Sequence, residues 1–130
     1  MVRFGYTILY VQDVEKSLTF YETAFGCTRK FITPDNTYGE LLTGETTLSF
    51  ASVAFANSHF NDGFTESRRD AKPFGMEIGF VSDEAEATLQ KAIAAGGVLV
   101  AELQTKPWGQ KVAYIRDLDG FLVEVCSPME

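Results

Sequence analysis

One order of elements, a strand, a helix and three more strands, can be read twice along this chain. That repetition limits the available folds more than any other feature. In the first copy, Phe4 to Val11 is β-branched and aromatic enough to be a strand. Asp13 stands where a helix N-cap belongs, because its carboxylate can accept from the orphan N–H groups of a first turn. Val14, Leu18, Tyr21 and Phe25 then recur at helical spacing as far as Gly26. Three short strands are predicted next, Cys27 to Thr33, Thr37 to Thr43 and Glu45 to Val53, punctuated by Pro34-Asp35-Asn36 and Gly44. The order returns at Gly75. Met76 to Val81 reads as a strand, and Asp83 with Glu86 reads as a capping box for a helix carrying Leu89, Ala92 and Ile93, which Gly96-Gly97 ends. Val98 to Leu103, Gln110 to Arg116 and Phe121 to Cys126 complete the set, the last two joined by Asp117-Leu118-Asp119-Gly120, a turn sequence. A shift of about seventy residues superimposes the copies, as expected of an internal duplication. The chain is therefore expected to be one α+β domain over residues 1–130, with module one at 1–53, a connector at 54–74 and module two at 75–130.

Composition narrows the partners. A formal charge of -7 gives a field that repels phosphate backbones, and no cluster of basic residues reverses it locally, so nucleic acid is not an expected partner. No apolar run approaches the roughly 20 residues that span a bilayer, so no membrane partner is expected. The N-terminus shows neither a basic start with an apolar core nor a small-residue cleavage site, which makes the cytoplasm the expected compartment. Cys27 and Cys126 fall at a strand start and inside a strand, where buried, inert thiols are common. The connector carries four phenylalanines among Asn, Asp, Ser and Gly, and part of a ligand cover is expected there. The single histidine, His59, lies in it and reads as a solvated loop residue.

The doubled unit, with Tyr-Thr-Ile-Leu-Tyr-Val-Gln-Asp-Val-Glu-Lys-Ser-Leu-Thr-Phe-Tyr near the start and Tyr-Ile-Arg-Asp-Leu-Asp-Gly-Phe-Leu-Val-Glu-Val near the end, resembles the vicinal oxygen chelate superfamily. Glyoxalases, bleomycin resistance proteins and extradiol dioxygenases belong to it. The resemblance covers almost the whole chain and implies curved mixed sheets around a cavity, in which a metal is held by the first and fourth strands of each half. Alternation along those strands turns Phe4, Tyr6, Ile8 and Tyr10 inward, with Thr47, Ser49 and Ala51, and in the second half Glu77, Gly79 and Val81 with Leu122, Glu124 and Cys126. The positions matching the family's ligands are then Tyr6, Ser49, Glu77 and Glu124. Only the two glutamates are ordinary metal ligands, so neither a metal nor another cofactor is expected.

Glu77 and Glu124 are the candidate catalytic or charge-bearing residues, since two acids aimed at one apolar cavity raise one pKa or recruit a cation. The plainer alternative is that one of them pairs with Arg116 or with backbone donors. Tyr6, Ser49, Phe50, Trp108 and Tyr114 are the candidate ligand-binding residues, flat rings being suited to flat ligands. Two functions follow from the resemblance together with these residues. The first is metal-free binding of a small planar molecule, cationic in the version the acids favour. The second is a glyoxalase-type lyase or isomerase that uses Glu77 or Glu124 as base, with or without a weakly held divalent ion. A homodimer is the assembly the resemblance implies.

Overall fold

Asp13 does cap a helix. In the computed structural model, which describes residues 1–129, its carboxylate accepts from the Lys16 N–H at 3.0 Å. The helix it starts, α1 (Val14–Phe25), follows strand β1 (Tyr6–Val11) and ends at Gly26 in the left-handed conformation, φ 70. Strands β2 (Thr28–Ile32), β3 (Tyr38–Leu42) and β4 (Thr47–Ser52) come next. A short helix, α2 (Val53–Asn57), then opens the stretch expected to be plain connector; Ser52 Oγ caps it by accepting from the Phe55 N–H at 3.2 Å. The second copy runs β5 (Glu77–Val81), α3 (Ala85–Ala94), β6 (Val98–Thr105), β7 (Lys111–Arg116) and β8 (Leu122–Cys126). Its expected capping box is not formed. Ser82 Oγ accepts from the Glu84 N–H at 3.0 Å, and this local turn moves the N-cap from Asp83 to Glu84, whose side chain caps nothing.

The chain is α+β and contains two four-stranded mixed sheets, neither closed into a barrel. It divides into two compact units, Met1–Glu22 with Gly26–Glu66, and Thr23–Phe25 with the residues from Ser67 onward. Residues 54–66 of the expected connector fall in the first unit and residues 67–74 in the second. In the first unit the strand order is β1-β4-β3-β2, with β1 parallel to β4 and the other pairs antiparallel; in the second it is β5-β8-β7-β6 on the same plan.

Each sheet turns one face to its unit's hydrophobic core. Leu9, Val11, Leu41, Leu48 and Phe50 form that face in the first unit, and Val14, Leu18 and Tyr21 of α1 join them in the core. The Tyr21 and Phe50 rings meet at 5.2 Å. Arg29 on β2 also holds α1, its guanidinium donating to Glu15 and, at 2.9 Å, to Glu22. In the second unit Ala113, Ile115, Val123 and Val125 lie buried with Leu89 and Ala92 of α3. Among the described residues no helix is long and apolar enough to cross a membrane.

The turn Asp117 to Gly120 shows what holds the second unit's loops. Asp117 is buried, and its Oδ1 accepts from the N–H groups of Asp119 at 3.0 Å and Phe121 at 2.8 Å. Arg116 donates to three backbone carbonyls, those of Gly120 at 2.9 Å, Arg69 at 3.1 Å and Arg68 at 2.7 Å. Gly120 sits at φ 90, and a Cβ there would lie 2.7 Å from the backbone of Arg68. Gly120→Ala combines a left-handed backbone with a clash against main chain, so it should destabilise by at least about 2 kcal/mol in urea unfolding. Gly79→Ala, where a Cβ meets nothing within 4 Å, should stay within about 0.5 kcal/mol of the parent.

Candidate functional site

Pleating decides which side chains leave the core. In the second unit, the face turned away from the buried one carries Glu77 and Gly79 of β5, Tyr114 of β7, and Glu124 and Cys126 of β8. The register pairs Gly79 with Glu124 and Tyr114 with Glu124, so the three strands meet at Glu124. Gly79 has no side chain and leaves open space directly opposite that carboxylate. Glu77 comes two residues earlier on the same side of β5, within diagonal reach.

The groups make one acidic cluster. Tyr114 donates its phenol hydrogen to Glu124 Oε1 at 3.3 Å. Partial burial raises the Glu77 carboxyl above its ordinary value, and the hydrogen bond with Glu124 and that group's charge raise it further. The Tyr114 phenol is also raised, first by burial and then by the charges of Glu77 and Glu124. Cys126 is pushed up to about 11 by burial, with Glu124 adding to the shift, so it is a neutral thiol, as a buried strand cysteine should be. Arg116 does not neutralise either acid, because its guanidinium is engaged by the three carbonyls of the turn region. That disposes of one of the plainer roles considered for the pair.

The first unit carries a second acid–phenol pair that sequence reasoning missed. Tyr38 donates to Glu40 Oε2 at 2.6 Å, and Lys30 Nζ lies 3.6 Å from Glu40 Oε1. Burial, reinforced by the bond to Glu40, holds the Tyr38 phenol up at about 12. The alternation in Thr37-Tyr38-Gly39-Glu40 was a readable signal, but only the register showed that Glu40 faces Ser49. Ser49 itself is wholly buried and donates to the Thr7 carbonyl at 3.2 Å, so it is no surface for a ligand. Phe50 must likewise be moved from the ligand side to the core: it has no exposed surface and packs on Tyr21, because its neighbours Ser49 and Ala51 take the other face. Tyr6 stays open, 56% exposed at the start of β1. Part of the former connector folds back over this unit, with the Phe64 ring 4.7 Å from that of Tyr10. His59 is exposed in the same stretch.

Trp108 is in the loop between β6 and β7, 59% exposed, and lines a hollow whose walls include none of Glu77, Tyr114 and Glu124. It is therefore not part of the acidic cluster.

A sequence model described as a glyoxalase-like domain matches residues 4–130. The chain belongs to the glyoxalase-like domain family. Solved structures of glyoxalase-related proteins share its fold. A glyoxalase-related enzyme from Fulvimarina pelagi is 21% identical, with 98% of this chain and 89% of that one covered and a TM-score of 0.83. A glyoxalase/bleomycin resistance protein/dioxygenase family enzyme from Burkholderia phytofirmans PsJN is 18% identical over 94% and 95% of the two chains, TM-score 0.76. Lactoylglutathione lyase from Agrobacterium tumefaciens is 21% identical over 99% and 96%, TM-score 0.68. At such identities the likeness speaks for the fold. A comparison with curated proteins finds no match.

The metal site that family resemblance implies does not fit the residues of this glyoxalase-like chain. Its matching positions offer a phenol at Tyr6, a buried and engaged hydroxyl at Ser49, and two carboxyls at Glu77 and Glu124, of which Glu124 accepts from Tyr114. Among the described residues no three His, Cys, Asp or Glu side chains are grouped to hold an ion.

The acid pair leaves a signature in stability. A raised carboxyl binds its proton more tightly folded than unfolded, so its contribution weakens as pH climbs from the ordinary value of 4.5 through the raised one. Glu77→Gln removes the titrating group, and its urea midpoint should fall less than the parent's between pH 4 and pH 7. Parallel pH profiles for the two proteins would contradict the pairing.

Proposed function

We propose that this glyoxalase-like protein binds a small planar cation on the open face of its second sheet, with Glu77 and Glu124 accepting from N–H donors and Tyr114 bordering the ligand. One observation carries the reading: two carboxyls and a phenol, the phenol donating to Glu124, share one side of the sheet around an opening left by Gly79, and none of the described ion pairs brings a cation to them. Two like charges side by side disfavour joint ionisation, and a positive ligand offsets that. A flat amidinium suits it best, since a planar fork of N–H donors matches a carboxylate pair. Binding alone is sufficient, and no bond needs to break.

The test is calorimetric titration with benzamidinium and with benzamide, its uncharged flat counterpart. Glu77→Gln combined with Glu124→Gln should weaken benzamidinium roughly tenfold or more while leaving benzamide nearly unchanged. Gly79→Leu, which fills the opening, should weaken both. Equal losses for the two compounds in the double variant would remove the electrostatic basis of the proposal.

The raised Glu77 carboxyl also favours a second reading, a lyase or isomerase in which this residue moves a proton next to a carbonyl. Solvent deuterium incorporated beside the carbonyl of a hydroxyketone, and lost in Glu77→Gln, would support that reading over simple binding.

A further inference from the structure

A cation held by Glu77 and Glu124 has a second end, and the register of the second sheet limits where that end can lie. On the side that carries the acids, three rows of side chains cross the strands. Glu77 of β5 pairs with Leu122 of β8, and Leu122 with Arg116 of β7. Gly79, Glu124 and Tyr114 form the next row, and Val81, Cys126 and Val112 form the third.

The two outer rows differ in charge. The first ends at Arg116, whose guanidinium stays positive while it serves the carbonyls of the turn region, and Val98 of β6 pairs with that residue in turn. The third row holds no ionised side chain, because Val81 and Val112 are apolar and Cys126 keeps its proton at neutral pH. A cation seated between the acids is repelled from the Arg116 end, whereas its uncharged part is matched by the third row.

Gly79 keeps the way to that row open. A Cβ there would meet nothing within 4 Å, so space stands directly over the backbone between Glu77 and Val81. Val81 lies two residues beyond Gly79 on the same side of β5, and 66% of it is exposed, apolar surface that a ligand would gain by covering. The strand end beside it is fixed: the Ser82 N–H donates to the Cys126 carbonyl at 2.8 Å, and Ser82 Oγ lies 2.7 Å from Thr88 Oγ1. The four steps of strand from Glu77 to Val81 span about 13 Å. A benzamidinium held at the acids ends over Gly79, short of Val81, and a chain of several carbons on its para position closes the gap.

We infer that, given the cation binding proposed above, the ligand of the acidic cluster is an elongated cation, with its charged end between Glu77 and Glu124 and an apolar tail running along β5 over Gly79 to Val81.

Calorimetric titration with benzamidinium and with 4-butylbenzamidinium tests this, the ratio of the two affinities being the readout. The butyl chain should improve affinity roughly fivefold. Val81→Ser should bring the ratio back to about one, and Val81→Ile, which keeps the apolar surface, should preserve the gain. Val98→Ser, at the Arg116 end, should leave both affinities unchanged. A butyl chain that adds nothing, a gain that survives Val81→Ser, or a gain lost in Val98→Ser would overturn the elongated ligand while sparing cation binding itself. Failure of benzamidinium to bind, or equal binding by the Glu77→Gln, Glu124→Gln double variant, would remove the cation site and the tail with it.

Discussion

Parallel pairing of the first strand of each repeat with its fourth is the constraint on which the rest depends. It needs a helix to carry the chain across, and that helix has to bury an apolar face against the sheet. Once one face is committed to the core, the two-residue period of the strands assigns every remaining side chain to the other. Ile8 opposite Ser49 and Gly79 opposite Glu124 are corresponding positions in the two registers. The side chains on the second face of each sheet are thus assigned as a by-product of core formation.

The two repeats have used that second face differently. In the first, the acid stands on the third strand as Glu40, where Tyr38 donates to it and Lys30 sits close enough to balance its charge. In the second, the acids stand on the outer and closing strands, and the phenol of Tyr114 bonds to Glu124 without bringing a positive charge. One carboxylate has a cation within its own sheet, while none of the described ion pairs brings one to the other two. This difference, and not the backbone plan, makes the second sheet the better candidate for holding a cation.

Arg116 explains why none of the described ion pairs brings a cation to the acids. It is close in sequence to Tyr114 and to Glu124, yet its guanidinium reaches the carbonyls of Gly120, Arg69 and Arg68, closing the turn and anchoring the segment that leads into the second unit. The buried Asp117 completes that arrangement by capping the turn's N–H groups. Structural duty has claimed a charge that proximity in sequence would have given to the site.

The duplication, the α+β class, the Asp13 cap, the Gly26 stop and the placement of Glu77 and Glu124 on one side of their sheet were all legible in the amino-acid sequence, because each rests on a local pattern of one or two turns or a few alternating residues. The inward placement of Ser49 already required Phe50 to face the core, and Ser52 ahead of Val53 was a readable cap for α2. Other outcomes depended on through-space partners. Tertiary structure decided that Glu40 joined Tyr38 and Lys30, that Arg116 turned from the acids, and that Trp108 bordered a hollow of its own. Local periodicity states which way a side chain leaves its strand. What it meets there is set by register, turn geometry and loops that pack from distant parts of the chain.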